Sequence, residues 1–176
     1  MPKGILVFGL NGSGKSTLAR VLADALDYKF MDIEEYVFME ADVPFTKQRS
    51  REEYLSLMQK DIIKYDTFVL AAVKGDFGDE ISSGYKLGVY IDVPYDIRIK
   101  RVIKRMTEKF GDRVKAGGDM YDSEMEFLEF VKSRTVQSVE MWSDTLHCPI
   151  LRVDGTKEIA DNVRLIEKTY LEIVER

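Results

Sequence analysis

The sequence predicts an α/β domain in which helices cover both faces of an open, five-stranded parallel sheet, a three-layer arrangement. Short apolar runs alternate along the chain with longer segments whose apolar residues recur at helical spacing. Two of these runs, at 66–73 and 87–93, are apolar at nearly every position, as strands buried on both faces of a parallel sheet require. At 176 residues the chain is long enough to bury a substantial core, and we expect 1–176 to form one domain.

The predicted elements alternate between strands and helices. In chain order they are a strand at 4–8, a helix at 15–26, a short strand at 28–31, a charge-rich helical stretch at 34–64, strands at 66–73 and 87–93, and a helix at 95–106. The last of these begins directly after Pro94, whose missing N–H costs nothing at a helix start. In an open sheet of this kind, ligands bind outside the carboxyl ends of the strands.

The C-terminal third continues the pattern after an interruption. Residues 107–122 hold three glycines among mixed charges and predict a flexible loop. Ser123 and Glu126 have the spacing of a capping box, which predicts a helix start. A last strand is expected at 149–153, and a closing helix carries apolar residues at steps of three and four over 159–173.

The composition argues against several classes of partner. The net charge is −5, with 32% charged and 45% apolar residues, so a nucleic-acid partner is not expected. No apolar run approaches the ~20 residues of a membrane span, and the run at 5–8 is too short for a signal peptide. The lone Cys148 cannot form an internal disulfide. We therefore expect a cytoplasmic protein without membrane contacts, and its oligomeric state stays open.

The strongest motif runs from Gly9 to Ser16, where GLNGSGKS fits the phosphate-binding loop pattern G-x-x-x-x-G-K-[ST], the P-loop. Its glycines let successive N–H groups face phosphate oxygens, and the following helix adds its positive end. Lys15 can reach the β- and γ-phosphates, and the Ser16 hydroxyl can bind Mg²⁺. A turn that binds nothing is disfavoured by the flanking strand and helix. The expected nucleotide contacts are Gly9, Asn11, Gly12, Ser13, Gly14, Lys15, Ser16 and Thr17.

Other features separate the classes of P-loop protein. The guanine-reading N-K-x-D of GTPases does not occur in the chain, and Asp92, although it ends a strand as in ATPase motors, precedes Pro94 and an arginine-bearing helix. The short chain, the early loop and that helix resemble the small P-loop kinases, such as adenylate kinases and shikimate kinases. This resemblance implies a P-loop NTPase fold, ATP and Mg²⁺ as cofactors, and a small-molecule phosphate acceptor. It also implies a substrate-binding insert at 34–64 and, at 107–122, a LID that excludes water when closed.

Three arginines of the helix at 95–106 share one face, because Arg98, Arg101 and Arg105 are spaced by three and four residues. Arg101-x-x-x-Arg105 resembles the arginine pair that adenylate kinases carry where the LID begins. Guanidinium groups are suited to the charge of a transferring phosphoryl group. The resemblance assigns that role to Arg101, Arg105 and Arg113, with Arg134 a weaker candidate. The alternative is a solvated basic face.

Two carboxylates are candidates for the chemistry. Asp32 is expected at the carboxyl end of the second strand, beside the strand that leads into the P-loop. Asp32-Ile33-Glu34 is similar to the D-x-D of shikimate kinases. By that likeness Asp32 organises Mg²⁺ or accepts the proton of the acceptor hydroxyl, and Glu34 binds the acceptor. The alternative is that both acids stabilise a helix N-terminus.

The expected acceptor contacts are less specific. Arg49-x-x-Glu52 resembles the R-x-x-E by which shikimate kinases hold their acidic substrate, and either Arg49 or Arg51 is a candidate anion clamp. A charged helix surface is the alternative. Residues 74–78 carry neither the triple glycine of shikimate kinases nor the D-G-F-P-R of adenylate kinases, although Gly75 would still allow a ligand to approach closely.

Asp154 and Gly155 follow the last strand, where adenylate kinases hold the adenine edge, so we expect base contacts there. A turn with a helix cap is the alternative.

The chain is thus predicted to be an ATP-dependent small-molecule kinase. The missing acceptor motifs motivate a second hypothesis, an ATP-binding regulatory module without acceptor turnover. Polynucleotide end-phosphorylation is disfavoured by the acidic charge.

Overall fold

The computed structural model describes residues 2–175 and contains a five-stranded parallel sheet. The strands are β1 (Lys3–Phe8), β2 (Lys29–Asp32), β3 (Thr67–Ala72), β4 (Tyr85–Asp92) and β5 (Ile150–Asp154). They are ordered β2-β3-β1-β4-β5, and every pairing is parallel. The predicted α/β fold with five parallel strands is confirmed.

The helices alternate with these strands. They are α1 (Lys15–Leu26), α2 (Ile33–Val37), α3 (Arg51–Tyr65), α4 (Asp79–Ser82), α5 (Tyr95–Phe110), α6 (Tyr121–Ser133), α7 (Val136–Ser143) and α8 (Ile159–Val174), with a 3-10 helix at Gly111–Val114. The short helices α4 and α7 were not expected from the sequence. Within residues 2–175, none of the helices is both long enough and apolar enough to cross a membrane.

The sheet has an apolar layer on each face, which makes the three-layer arrangement. Alternate residues of β1 point in opposite directions. Ile5 and Val7 belong to the core that includes buried residues of α1 and α8. Leu6 and Phe8 belong to the opposite core, which includes buried residues of α2, α3, α4 and α7. The sheet is therefore covered on both faces. The edge formed by the carboxyl ends of its strands remains as the place where a ligand can bind.

The prediction of one helical stretch over 34–64 is wrong. Helix α2 ends at Val37, and α3 begins at Arg51 after an irregular segment over 38–50 that contains Pro44. Proline cannot continue a helix, and it also restricts the residue before it. A capping box starts α3, since the Ser50 hydroxyl accepts the Glu53 N–H at 3.2 Å while the Glu53 carboxylate accepts the Ser50 N–H at 2.8 Å.

The prediction of a loop over 107–122 is also wrong in part. Helix α5 continues to Phe110, the 3-10 helix follows, and α6 begins at Tyr121. The segment is held by a small core of its own, in which Met106 packs with Val114 and Met120. The expected capping box at Ser123 does not form, because this hydroxyl lies inside α6 and donates to the Met120 carbonyl at 3.1 Å.

Strand β2 does not lie beside β1, contrary to expectation, because β3 lies between them. Two strand spacings separate β1 from β2, about 10 Å in all. The registers nevertheless bring the strand ends level, since Phe8 of β1 pairs with Ala72 of β3 while Asp32 of β2 pairs with the adjacent Ala71. A groove over the end of β3 thus separates Asp32 from the P-loop.

Candidate active site

Residues 9–14 form a tight turn between β1 and α1, and three glycines determine its shape. Gly9, Gly12 and Gly14 have φ values of 148°, 81° and 93°, a region that favours glycine. A Cβ atom at Gly12 would lie 2.3 Å from the Arg98 carbonyl oxygen, whereas one at Gly14 would meet nothing within 4 Å. The loop is therefore packed against α5 on one side and open on the other.

Two arginines of α5 donate hydrogen bonds to backbone carbonyls in and beside this loop. The guanidinium of Arg98 is buried and donates to the Asn11 carbonyl at 3.2 Å. Arg101 donates to the Gly155 carbonyl at 3.0 Å and to the Ser13 carbonyl at 3.5 Å. Within residues 2–175, the buried Asn11 Oδ1 and Ser13 Oγ have no hydrogen-bond partner. The loop is thus braced by its backbone while polar side-chain atoms remain free.

A cavity of about 210 Å³ opens in front of the loop and gathers most of the predicted catalytic and metal-binding residues. Asn11, Gly12, Gly14, Lys15, Ser16, Thr17, Asp32, Glu34, Arg101 and Arg105 all line it. They come from the P-loop, the end of β2, the start of α2 and the exposed side of α5. Strand order and helix spacing therefore bring residues that are 90 positions apart in sequence to one space.

Lys15 is one of the cations that line this cavity. Its ammonium donates to the Leu10 carbonyl at 3.3 Å and makes no ion pair with another residue of 2–175. Burial lowers the pKa of Lys15 to about 8, and the arginines Arg105 and Arg134 act in the same direction. The carboxylates of Glu34 and Asp32 oppose that shift. The ammonium is thus poorly compensated, which favours the binding of an anion.

Asp32 lines the cavity and also caps a helix, and its predicted role towards Mg²⁺ or the acceptor proton stays a prediction. Its carboxylate is 8% exposed and lines the cavity. One oxygen, Oδ1, also accepts the Glu34 N–H at 3.1 Å, so Asp32 is the N-cap of α2. The cap fixes the orientation of the carboxylate towards the groove. Ser16, the other predicted metal ligand, lines the same cavity.

A second cavity, of about 340 Å³, lies on the other side of the loop, between α1 and the start of α8. Gly155 lines it together with Ser13, Gly14 and Thr17, and the base contact of Gly155 stays a prediction. Asp154 does not line it, because its carboxylate accepts the N–H and the hydroxyl of Thr156 at 2.9 and 2.6 Å. The predicted base contact of Asp154 therefore stays a prediction.

Neither arginine of the expected acceptor clamp lines these cavities. Arg49 donates to the carbonyls of Glu35, Tyr36 and Phe38 at 3.2, 2.8 and 3.1 Å, and so ties the 38–50 segment to α2. Arg51 donates to the Tyr54 hydroxyl at 3.2 Å and to the Asp76 carbonyl at 3.1 Å. Both side chains are engaged in internal contacts, and their roles in substrate binding stay predictions.

Gly75 and Arg113 also lie outside the cavity in front of the P-loop. Gly75 lines a separate surface cavity of about 660 Å³, and a Cβ atom there would lie 2.5 Å from the Leu6 side chain, so packing accounts for the glycine. Arg113 pairs with Asp119 at 2.8 Å in the segment that connects α5 to α6. Arg113 would have to leave this pair to reach a phosphate.

A third pocket was not expected from the sequence. It adjoins the cavity in front of the P-loop, which we call the phosphate cavity. It has a volume of about 320 Å³ and includes four phenylalanines, Phe38, Phe45, Phe110 and Phe127, and the buried carboxyl group of Glu124. The only signal in the sequence was the number of aromatic residues within and next to the two predicted insertions. Such residues usually indicate core packing, so the pattern alone did not predict a pocket.

Comparisons with known proteins agree with this architecture. No protein-family model matches the chain. It is 30% identical over 173 residues to the uncharacterized protein YqaC of Bacillus subtilis (strain 168), which covers 93% of this chain and 94% of YqaC. It is also 30% identical over 105 residues to a shikimate kinase of Clostridium botulinum (strain Eklund 17B / Type B), which covers 54% of this chain and 64% of that kinase.

Solved structures resemble the fold over nearly the whole chain. A gluconokinase from Sinorhizobium meliloti 1021 has a TM-score of 0.50 at 18% identity, with 97% of each chain covered. A shikimate kinase from Aquifex aeolicus has a TM-score of 0.54 at 18% identity, with 94% of each chain covered. At such identities the likeness shows a common fold.

Proposed function

Since the chain is a relative of YqaC and belongs to the small P-loop kinases of the shikimate kinase and adenylate kinase type, we propose that it transfers the γ-phosphate of ATP·Mg²⁺ to a small-molecule acceptor. The observation that carries this proposal is the cavity of about 210 Å³ in which Lys15, Ser16, Asp32 and Arg105 meet. An anion-binding loop, oxygen ligands and a guanidinium group in one space are the components of phosphoryl transfer.

The residues present fit a nucleoside triphosphate with its metal ion. The N-terminus of α1 has no side-chain cap, so its first N–H groups remain available to phosphate oxygens. When bound, Mg²⁺ would neutralise part of the negative charge of the phosphates. The Ser16 hydroxyl and the Asp32 carboxylate supply oxygen ligands of the kind that Mg²⁺ prefers.

The proposed step is an in-line displacement. An acceptor oxygen forms a bond to the γ-phosphorus, the bond to the β–γ bridging oxygen breaks, and its electron pair leaves with ADP. Asp32 takes the proton where the acceptor is a hydroxyl. Arg105, assisted by Arg101, stabilises the charge on the equatorial oxygens. We retain residues 34–64 as the substrate insert and 107–122 as the LID, whose closure would free Arg113 from Asp119.

ADP release from ATP·Mg²⁺ in the presence of different acceptors tests the proposed function. The panel contains nucleosides, nucleoside monophosphates, shikimate, gluconate and neutral sugars. We expect release that depends on one class of acceptor. Binding of ATP without stimulation by any acceptor would contradict the proposal and favour the regulatory module.

We also propose that the protein is cytoplasmic and that it has no nucleic-acid or membrane partner.

We expect nucleotide affinity to fall as the pH rises above about 8. The pKa of Lys15 is lowered to about 8 in the free protein, and bound phosphates favour the charged form. Above that pH, binding must include proton uptake, so the dissociation constant of a non-hydrolysable ATP analogue should rise up to about tenfold per pH unit. Calorimetry in buffers of different ionisation enthalpy measures the uptake. The Lys15→Arg variant, which stays charged, should show no such rise, and a flat wild-type profile would contradict the assignment.

A further inference from the structure

The third pocket is continuous with the place where phosphate would be transferred. It lies between the 38–48 segment, helix α5 and the first turns of α6. Glu34, Val102 and Arg105 line both this pocket and the phosphate cavity. A molecule bound in the third pocket would therefore direct one end towards Lys15. Its volume of about 320 Å³ lies at the lower end of the range for small-molecule sites, about 300–1,000 Å³.

The walls of this pocket favour a flat, unsaturated ring. Phe38 and Phe45 are arranged edge to face, with centroids 5.0 Å apart and planes at 79°, and Phe45 and Phe110 continue the cluster at 6.4 Å and 87°. Phe127 completes the aromatic lining from α6. Aromatic side chains in such a setting stack on planar ligands. Sugars and aliphatic acids gain much less from these walls.

The backbone at Phe45 supports a binding role for its side chain. Its φ of 66° lies in the left-handed region, which is unusual for a bulky residue and is energetically unfavourable. This conformation turns the ring towards Phe38 and Phe110, where it lines the pocket. Strain of this kind is concentrated at binding and active sites.

The lining of the pocket also includes one acidic side chain that can accept hydrogen bonds from a ligand. Glu124, in the first turn of α6, is 8% exposed, and no donor within residues 2–175 hydrogen-bonds to its carboxyl group. Burial raises the pKa of Glu124, although Arg105 and Lys109 oppose the shift. Its carboxyl group lines the pocket, where N–H donors on the edge of a ligand ring can hydrogen-bond to it.

The same walls disfavour an acidic polyol. The arginine expected to clamp a carboxylate, Arg49, is held by three backbone carbonyls and does not line the pocket. The lining cations, Arg105 and Lys109, are matched by two carboxylates, Glu34 and Glu124. No cationic cluster among the lining residues is therefore reserved for the carboxylate of a substrate.

We propose that this pocket is the acceptor site and that the acceptor carries a planar nitrogenous base, as a nucleoside or a nucleoside 5′-monophosphate. The inference rests on the proposed kinase function. The base lies among the phenylalanines with its N–H groups on Glu124, and its sugar points past Arg105 to the phosphate cavity. The 5′-oxygen of a nucleoside, or a phosphate oxygen of the monophosphate, then bonds to the γ-phosphorus as the β–γ bridging oxygen leaves with ADP.

Matched variants on α6 test this inference. Phe127→Ala removes a pocket ring, and Phe130→Ala removes an exposed ring one turn away on the same helix. Glu124→Gln changes the buried carboxyl group, and Glu126→Gln changes an exposed one. We expect Phe127→Ala and Glu124→Gln to raise the KM for the base-bearing acceptor about tenfold or more, with little change in kcat. The two control variants should change KM by less than about twofold.

Two measurements keep the outcomes apart. Calorimetry of nucleosides and nucleoside monophosphates, without ATP, measures binding to the pocket directly, and the affinity for an ATP analogue shows that each variant is folded. Stimulation of ADP release by nucleosides or by nucleoside monophosphates then shows which of the two is the acceptor. Turnover of shikimate or gluconate alone would overturn this inference and leave the proposed kinase function standing. Base binding that Phe127→Ala abolishes, without any turnover, would support the pocket while contradicting the kinase.

Discussion

Replacing Lys15 by methionine should lower the rate of phosphoryl transfer by about 10²–10³-fold without lowering the stability of the fold. The rate falls because the ammonium at the P-loop would no longer offset the charge on the β- and γ-phosphates. Stability should not fall, because the pKa of Lys15 is about 8 in the folded protein against 10.5 as its ordinary value. Keeping the lysine charged at neutral pH therefore costs the folded state up to about 3 kcal/mol.

The sign of this effect follows from proton binding. Between pH 8 and 10.5 the unfolded chain holds the Lys15 proton more tightly than the folded one, so this residue makes the free energy of unfolding rise with pH in that window. Below pH 8 the lysine is charged in both the folded and the unfolded protein, and methionine removes the free-energy cost of burying that charge. The melting temperature of Lys15→Met at neutral pH should therefore equal or exceed that of the wild type.

Lys100→Met is the matched control, since Lys100 is exposed on α5. ADP release and thermal unfolding of the two variants separate the roles of the two lysines. Lys100→Met should retain wild-type turnover within about twofold. Full turnover by Lys15→Met would show that this lysine does not contact the transferred phosphate. A fall of several degrees in its melting temperature would show that the lysine supports the fold.

The part of the site nearest the P-loop could be predicted because its geometry is local. The glycines of residues 9–14 require positive φ, and the residues after them form a helix at Lys15–Leu26, as the spacing predicts. Arg101 and Arg105 line one cavity because one turn of a helix separates them. Each of these relations depends on neighbours within a few positions, which a sequence displays directly.

Relations between distant segments could not be predicted in the same way. All five strands are short and the central ones are apolar on both faces, so nothing in their composition shows that β3 separates β2 from β1. The third pocket combines Phe45 with Phe127, which are more than eighty positions apart. Arg49 resembled a clamp, but the path of the 38–50 segment turns its guanidinium towards backbone carbonyls.

Replacing Arg105 by alanine should reduce kcat by about 10²–10³-fold and change the affinity for an ATP analogue little. Arg105 lines both the phosphate cavity and the third pocket, and its guanidinium donates to no acceptor within residues 2–175, so it is available to the transferring group. Arg101, in contrast, is held by the Gly155 and Ser13 carbonyls. Arg101→Ala should therefore weaken nucleotide binding as well as turnover, because the loop loses its support.

Lysine at position 105 would keep the charge but not the planar pair of donors, so Arg105→Lys should recover only part of the lost rate. Lys104→Ala is the control, because Lys104 is exposed and, within residues 2–175, pairs only with Glu108 on the same helix. Single-turnover measurements with the acceptor bound report the transfer step itself. Equal losses in kcat/KM and in nucleotide affinity would mean that Arg105 binds the ground state. A loss confined to kcat means that it acts on the charge that develops during transfer.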